Sequence, residues 1–292
     1  MQTVSYHLLT EEAMPGASPT VRNRQLGMEL RRLREQAAKT QQDAADWIGI
    51  ADTGISKIEN GKQRVSIGHL RSLLQFYDVG SPHSDYLLQL CRDAAQRGWW
   101  VEYGKTVPTW FRDYVGMEAA ATEVWTWQPL FIPGLLQTPE YARAVAGPRE
   151  HADEIERIVR IRSERQKRLT GDDPLNLRAI IDEAALRRDV GGPDVVREQI
   201  NRLIEVAQLP NVSLRLVPFS AGAHRGMHGA FTALRFSEAA MDTVYLEAYK
   251  TAAYAEAPAE VAFYVDTFED LATKALNSDD TAKLMSTMIG RK

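Results

Sequence analysis

Ten lysine and arginine side chains fall within residues 21–80, against seven aspartates and glutamates. The rest of the chain is acidic, because residues 1–20 hold two acids and no base, and residues 81–292 hold 30 acids and 25 bases. Lysine and arginine neutralise phosphate groups, so a basic segment joined to an acidic body indicates a polyanionic partner for that segment alone.

Two histidines, His224 and His228, lie four residues apart in a segment that contains three glycines. A pair with this spacing binds zinc readily only on a helix, and the sequence places no other cysteine or histidine nearby at ligand spacing. We therefore expect no metal here. Three interpretations remain for His224, Arg225 and His228: a lid over a pocket, a loop that contacts a partner, or an ordinary connection between strands.

Signals for catalysis are poor. The sequence contains no Gly-x-Ser-x-Gly elbow, no phosphate-binding Gly-Lys-Ser/Thr loop and no dinucleotide glycine fingerprint. Adjacent acids such as Asp182 and Glu183 are expected by chance in a chain with 39 acids. The single cysteine, Cys91, excludes an intramolecular disulfide, and its apolar neighbours predict a core residue. We expect a protein that is not an enzyme and needs no cofactor.

The predicted secondary structure changes near residue 99, from helices alone to a mixture of helices and strands. A chain of 292 residues is long enough for about two domains. Leu26, Leu30 and Leu33 follow helical spacing, and only helices are predicted up to residue 98. We predict a flexible N-terminal arm over residues 1–20, an all-α five-helix domain over 21–98, and a larger mixed α+β regulatory or dimerisation domain over 99–292.

Within the second domain, helices and strands are mixed without strict βαβ alternation. Strands are predicted over residues 124–132, 175–181, 212–218, 231–236 and 243–249, and helices over 108–123, 139–146, 152–169, 193–207, 258–276 and 281–289.

Two short predicted helices, near residues 41–48 and 52–59, flank a turn that contains Gly49. Such a turn needs a residue that tolerates positive φ, and the close crossing of the helices needs a small side chain, which Ala45 supplies. Apolar residues at the required spacing anchor both helices, namely Ala44, Ile48, Ile50, Ile55 and Ile58. This agreement is the physical content of a helix-turn-helix.

Residues 41–61, with the sequence QQDAADWIGIADTGISKIENG, resemble the Xre-type family of lambda-repressor-like regulators. The resemblance covers residues 20–80, and SKIENG at 56–61 is a familiar signature of that family. It implies a DNA-binding domain whose third helix enters the major groove.

The acidic body also resembles a known family. Residues 133–143 (PGLLQTPEYAR), 182–188 (DEAALRR) and 218–227 (PFSAGAHRGM) are similar to the uncharacterised domain of WhiJ-like actinomycete regulators. Such proteins are associated with development and antibiotic production, and a small BldB-like protein is often encoded next to them. The resemblance therefore implies a BldB-like partner.

The first resemblance implies a role for each matching residue. Gln41 hydrogen-bonds a phosphate or braces the third helix. Base edges are contacted from Ala51, Asp52, Thr53, Ser56 and Lys57, and phosphates are contacted from Lys57, Asn60, Lys62 and Arg64. Asp52 has two interpretations, because its carboxylate either accepts a hydrogen bond from cytosine or stabilises the helix N-terminus.

Two further residues of the motif are unusual. Gly54 lies inside the third helix, where it costs up to about 1 kcal/mol relative to alanine, and we expect it to let the backbone approach the groove closely. Trp47 occupies a position of the second helix that usually faces solvent, and we expect it to pack against the second domain.

A ligand site in the second domain would combine aromatic and polar groups. Most of the aromatic residues near its start are expected to be core or interdomain packing, but some, Trp127 included, could line an apolar pocket. Gln137, Tyr141 and Glu183 would supply the few polar groups of such a pocket. The basic residues of the predicted helix 152–169 are interpreted as a solvated face that pairs with Glu156 and Glu164, and the alternative is phosphate contact beside the helix-turn-helix.

These observations favour a sequence-specific transcriptional regulator that binds double-stranded DNA. We expect a homodimer, because one such domain reads one half-site. No run approaches the roughly 18 apolar residues of a membrane span, and no secretion signal is apparent, so a cytoplasmic, nucleoid-associated protein is expected. The second domain would dimerise, sense a small-molecule effector or receive a protein partner. The alternative is an antitoxin-like module that binds a small protein encoded nearby and uses DNA binding for autoregulation.

Overall fold

A computed structural model describes residues 19–95, 109–147, 151–248 and 251–289. Residues 1–18 of the predicted arm and the predicted domain boundary at 98/99 lie outside these ranges. The described residues fall into two compact units, 19–95 and 109–289.

The first unit consists of five helices, which confirms the all-α five-helix prediction. They are α1 (Pro19–Gln36), α2 (Gln41–Ile48), α3 (Asp52–Glu59), α4 (Ile67–Phe76) and α5 (His83–Ala94). Helix α1 therefore begins inside the segment predicted as an arm. The predicted apolar face of α1 is buried against α3, α4 and α5, with Leu26, Leu30, Ile55 and Leu70 at the centre. Cys91 is also buried in this core, and burial raises the pKa of its thiol.

A close backbone approach fixes how α1 lies against α3. A Cβ atom on Gly27 would lie 2.4 Å from the carbonyl oxygen of Ile58. This contact is too short for any side chain, so only glycine fits at this position without a shift of the backbone. At the end of α3, Gly61 has φ +66° and lies against Arg24, and Asn23 Nδ2 donates a hydrogen bond to the Gly61 carbonyl at 2.8 Å. Helix α3 is thus held against α1 over its last turn.

The second unit is a mixed α+β structure, as predicted. Its elements are α6 (Thr109–Glu118), β1 (Glu123–Gln128), α7 (Pro139–Ala146), α8 (Ala152–Gln166), β2 (Asn176–Asp182), α9 (Glu183–Arg187), α10 (Pro193–Val206), β3 (Val212–Val217), β4 (Phe231–Arg235), β5 (Thr243–Glu247), β6 (Ala252–Ala255), α11 (Pro258–Lys274) and α12 (Ser278–Ile289). The sequence did not predict α9 or β6.

The six strands form one sheet in the order β3-β2-β1-β4-β5-β6. Strands β1, β2 and β3 are parallel, and helices α7 to α10 provide the crossovers that parallel strands require. Strands β4, β5 and β6 are antiparallel to their neighbours. Helix α11 covers one face of the sheet and buries Trp125, Trp127, Phe231 and Phe268.

One edge of the sheet is sealed by the connection between α11 and α12. The Leu276 N–H donates to the Leu216 carbonyl of β3 at 2.8 Å, and the Leu216 N–H donates to Thr281 Oγ1 at 3.2 Å. The Arg215 guanidinium donates to the carbonyls of Ala275 and Leu276. The outward backbone groups of Leu216, near the end of β3, therefore have partners.

The basic helix α8 is only partly a solvated face, which corrects the prediction. Arg165 is buried, and its guanidinium donates two hydrogen bonds to the Glu118 carboxylate at 2.6 and 2.7 Å. Arg162 donates to Gln137, and Arg168 donates to the Ala121 carbonyl at 2.9 Å. Three of the cations therefore hold the domain together.

Within the described residues, no helix is both long enough and apolar enough to cross a membrane.

Candidate nucleic-acid interface

The start of α2 is defined by a capping box. Thr40 Oγ1 accepts a hydrogen bond from the Asp43 N–H at 3.0 Å, and the Asp43 carboxylate accepts one from the Thr40 N–H at 2.8 Å. The hydrogen bond from the Thr40 N–H lowers the pKa of the Asp43 carboxyl, and the interaction with the Thr40 side chain lowers it further. Gly49 ends the helix with φ +70°, the left-handed conformation predicted for the turn.

Helix α3 has one buried and one exposed face. Ile55, Ile58 and Glu59 are buried against the rest of the domain. The opposite face carries the residues expected to contact base edges: Ala51, Asp52, Thr53 and Lys57 are exposed, and Ser56 is half-buried. Because the side chains at the N-terminal end of α3 are short, no large side chain blocks access to this end of the helix. The structure therefore brings the predicted base-contacting residues together on one accessible surface.

A buried ion pair holds α3 in place. Arg34 of α1 donates to both carboxylate oxygens of Glu59, at 2.6 and 3.1 Å, and to the Lys39 carbonyl at 2.8 Å. The hydrogen bond to Glu59 raises the pKa of Arg34. Gln41 Nε2 donates to the same carboxylate at 2.8 Å. Of the two roles expected for Gln41, this geometry corresponds to bracing the third helix.

The sequence reasoning missed Arg34 and Glu59 as functional positions. Both were counted only as charges, although they fix the helix that presents the predicted base-contacting residues. The signal available in the sequence was a glutamate, Glu59, next to the inward-facing Ile58 at a position that has to be buried. A buried carboxylate requires a cationic partner, but the sequence does not say which of ten cations supplies it.

Asp52 lies in the first turn of α3, and its Oδ1 accepts a hydrogen bond from the Thr53 N–H at 2.6 Å. A carboxylate at this position interacts favourably with the positive end of the helix dipole. The contact is the one expected from the helix-terminus interpretation of Asp52.

The residues expected to contact phosphates lie on and just after α3. Lys57 and Lys62 are exposed, and within the described residues neither ammonium group makes an ion pair or a hydrogen bond. Arg64 is exposed and reaches the Ala95 carbonyl at 3.5 Å. Asn60 instead donates to the Ser56 carbonyl at 2.8 Å, which satisfies the end of α3. Two ammonium groups and one guanidinium therefore remain accessible beside α3.

Trp47 and Gly54 have local packing roles. Trp47 stacks on Phe76 with ring centroids 4.7 Å apart, and its Nε1 donates to the Ser72 carbonyl at 3.0 Å. This packing lies inside the first unit, whereas the sequence suggested the second. A Cβ on Gly54 would lie 2.9 Å from the side chain of Ile50, so its small size serves packing between the turn and α3.

The residues proposed for a ligand pocket in the second unit have contacts within it. Trp127 is fully buried, and its Nε1 donates to the Gly226 carbonyl at 2.8 Å. Gln137 donates to the Ile132 carbonyl at 2.6 Å, and Tyr141 Oη accepts from the Ile132 N–H at 3.3 Å. Glu183 accepts from Arg187 and from the Phe219 N–H. These polar groups support loops around the sheet.

Residues 225–228 form a short 3₁₀ helix that packs on the sheet and α11. His224, just before it, lies edge-on to Trp127 at 5.3 Å, and its Nε2 is 3.6 Å from Asp182 Oδ2. The Arg225 guanidinium lies 5.1 Å from the centre of the Phe263 ring, and His228 is exposed. The segment therefore connects β3 to β4 with His224 and Gly226 packed inward and with Arg225, Met227 and His228 exposed.

Some aromatic residues near the start of the second domain cannot be placed. Trp99, Trp100 and Tyr103 lie outside the described residues, as does the side chain of Trp110.

Comparison with known families gives two matches. Residues 25–86 match a helix-turn-helix domain, the fold of DNA-binding regulators, and residues 111–287 match the domain of unknown function DUF5753. No curated protein matches the chain. Because the second match spans more than half of the 292 residues, the chain belongs to the DUF5753 family, with a helix-turn-helix domain preceding the family's own domain.

Proposed function

We propose that the protein is a sequence-specific transcriptional regulator rather than an enzyme. The observation that carries the proposal is the exposed face of α3, which presents Ala51, Asp52 and Thr53 on a braced helix-turn-helix. Lys57 and Lys62 extend from the same region and can neutralise backbone phosphates. Short polar side chains for base edges beside mobile cations for phosphates are what direct DNA readout requires.

The finer assignment follows the sequence resemblance. The DNA-binding domain is of the Xre type, and the whole protein is a WhiJ-like regulator of development or antibiotic production in actinomycetes. Thr53 and Ser56 contact base edges, and Lys57, Lys62 and Arg64 contact phosphates. Asn60 contributes through the end of α3, and Gln41 contributes by bracing Glu59, in agreement with their hydrogen bonds.

We further propose that the regulator is a homodimer located on the nucleoid in the cytoplasm. One helix-turn-helix reads one half-site, and two related half-sites supply the affinity and specificity that one regulator needs. The DUF5753 domain provides the dimer contact, binds a small-molecule effector or receives a small BldB-like protein.

The test is a binding titration of the full-length protein on DNA from upstream of its own gene and on scrambled DNA, at two salt concentrations. We expect tight binding to the upstream DNA that survives higher salt and competitor DNA, because base contacts add to the salt-dependent phosphate contribution. Equally weak binding to both DNAs would contradict a regulator that acts alone. Chromosome-wide occupancy limited to its own promoter would instead support the antitoxin-like role.

A further inference from the structure

The two edges of the sheet differ in the hydrogen-bond partners of their outward backbone groups. At Leu216 the outer side of β3 is hydrogen-bonded to Leu276 and to Thr281 of α12, whereas β6 is the last strand at the other edge and pairs only with β5 among the described residues. Natural edge strands are usually protected by shortness, proline, lysine, a bulge or a covering loop, and β6 has the first of these, with four residues. The sequence of β6, Ala-Ala-Tyr-Ala, contains neither proline nor lysine.

The hairpin geometry shows which backbone groups of β6 face outward. The Ala248 N–H donates to the Thr251 carbonyl at 2.9 Å, and Leu246 is paired with Ala253. Hydrogen-bonded and non-hydrogen-bonded pairs alternate along antiparallel strands, so Ala253 bonds to β5 and Ala252 directs its N–H and carbonyl away from β5. An incoming strand would meet these groups.

A groove lies beside this edge, between the β5–β6 hairpin and the first turns of α11. Its volume is about 450 Å³, within the range of binding sites, and its walls include Leu246, Ala253, Ala259, Phe263 and Tyr264. Phe263 is 55% exposed, so its ring is accessible from the groove. Glu260 is the charged residue among those that line the groove.

The charge around the groove selects the occupant. Glu260 lines the groove, Glu256 follows β6 directly, and the one cation placed beside the groove among the described residues is Arg225, 5.1 Å from the centre of the Phe263 ring. A second copy paired through β6 would bring these acids together, and residues 1–18 of this chain, with two acids and no base, would also be repelled. A basic segment of another polypeptide complements the surface.

We propose that β6 and the adjacent groove bind an extended segment of a partner protein in which lysine or arginine alternates with apolar residues. The segment adds a seventh strand through the outward backbone groups of β6, one apolar side chain enters the groove, and one cation lies beside Glu260. This inference deepens the partner-binding role of the DUF5753 domain in the proposed function.

The test uses the full-length protein and a random peptide library displayed on phage. Selected peptides are synthesised, labelled and titrated by fluorescence anisotropy against the wild type and three variants. Ala252→Pro removes an outward N–H at an edge position where proline is tolerated, and Glu260→Lys reverses the charge of the groove. Asp266→Lys is the matched control, because it makes the same charge change on α11 outside the groove.

We expect selection of peptides that alternate basic and apolar residues, with affinities lowered at least about tenfold by Ala252→Pro and Glu260→Lys and less than about twofold by Asp266→Lys. Circular dichroism checks that each variant is folded. If Ala252→Pro does not fold, the affinity of Glu260→Lys alone tests the proposal. Failure to select such peptides, or wild-type affinity in both Ala252→Pro and Glu260→Lys, would overturn the proposal. The DNA titration is independent of the peptide experiment. If the wild-type protein binds the selected peptides but does not bind operator DNA, the proposed regulator is refuted and the strand-binding proposal stands.

Discussion

At the scale of single residues, Thr53 and Lys57 separate two parts of DNA recognition. They lie one turn apart on the exposed face of α3. A short hydroxyl side chain near the N-terminus of the helix is suited to a base edge, whereas a long ammonium side chain reaches a phosphate. Substitutions at the two positions are therefore expected to give different signatures in the same binding assay.

Lys57→Ala should weaken binding to all DNA sequences by a similar factor. Loss of one phosphate contact also releases fewer counterions, so the slope of log K against log salt should flatten by about one unit. Titrations at several salt concentrations measure this slope. Lys283→Ala, which removes an exposed lysine of α12, is the control and should leave it unchanged. A wild-type slope in the Lys57 variant would exclude the phosphate contact.

Thr53→Ala should change base preference at one position in each half-site. The expected loss of discrimination is about 1–3 kcal/mol at that position, with little effect elsewhere. Binding to a set of operators with single-base changes provides the measurement. If the variant loses the same affinity on every operator, Thr53 does not contact a base.

At the scale of elements, the position of α3 depends on the Arg34–Glu59 pair. The Glu59 side chain is 2% exposed and the Arg34 side chain 10%. Glu59→Gln removes the buried charged partner of Arg34 and leaves it only the exposed Glu35 at 3.7 Å, so we expect the free energy of unfolding of the first unit to fall by about 3–5 kcal/mol. Urea denaturation followed by circular dichroism measures the change.

Arg31→Gln is the control for the Glu59 substitution, because it removes an ion pair of α1 without removing a partner of Arg34. Arg31 pairs with Glu35, and both side chains are more than half exposed, so this substitution should change the free energy of unfolding little. Equal effects of the two substitutions would show that the buried pair does not hold α3.

The contact between α1 and α3 can be tested with two alanine substitutions. Gly27→Ala places a methyl group against the Ile58 carbonyl and should destabilise the first unit by about 1–3 kcal/mol. Gly68→Ala in α4 meets only the Ser66 hydroxyl, at 3.9 Å, and should stabilise the unit by about 0.5–1 kcal/mol through helix propensity. Thermal unfolding distinguishes them, and a stabilised Gly27 variant would contradict this contact.

The sequence was sufficient where structure depends on nearby residues. Apolar spacing, Gly49 and Ala45 predicted α2 and α3 closely because helical periodicity and turn chemistry are local. Strand β6 was missed because three alanines have little strand propensity, and pairing with β5 supplies what they lack. The inward direction of Arg165 depends on Glu118, 47 residues away, which no local pattern indicates.

The candidate DNA-binding site could likewise be predicted only where nearby residues determine it. The exposed face of α3 follows from the helical period, so the positions of Thr53 and Lys57 could be predicted. The choice of Gln41 between a phosphate and Glu59 could not, because it depends on a carboxylate 18 residues away. The groove beside β6 could not be predicted either, since it requires a strand and a helix that meet only in the folded domain.

At the scale of the whole molecule, the proposed function requires two copies of the first unit on one operator. We expect light scattering to give the mass of a dimer. Nuclease footprinting of the upstream DNA should show two protected half-sites about 10–10.5 base pairs apart from centre to centre, or a multiple of that spacing. A monomeric mass together with a single protected half-site would contradict the dimeric regulator.

The seal over β3 has a consequence for how copies of this domain could associate. If the chain were cut between α11 and α12, β3 would lose the partners supplied by Leu276 and Thr281 and become a second bare edge. Edge β3 of one molecule could then pair with edge β6 of the next. Such a contact is head-to-tail and does not close on itself, so the product would be an open-ended filament. The hydrogen bonds of Leu276 and Thr281 to β3 are therefore expected to oppose such head-to-tail assembly.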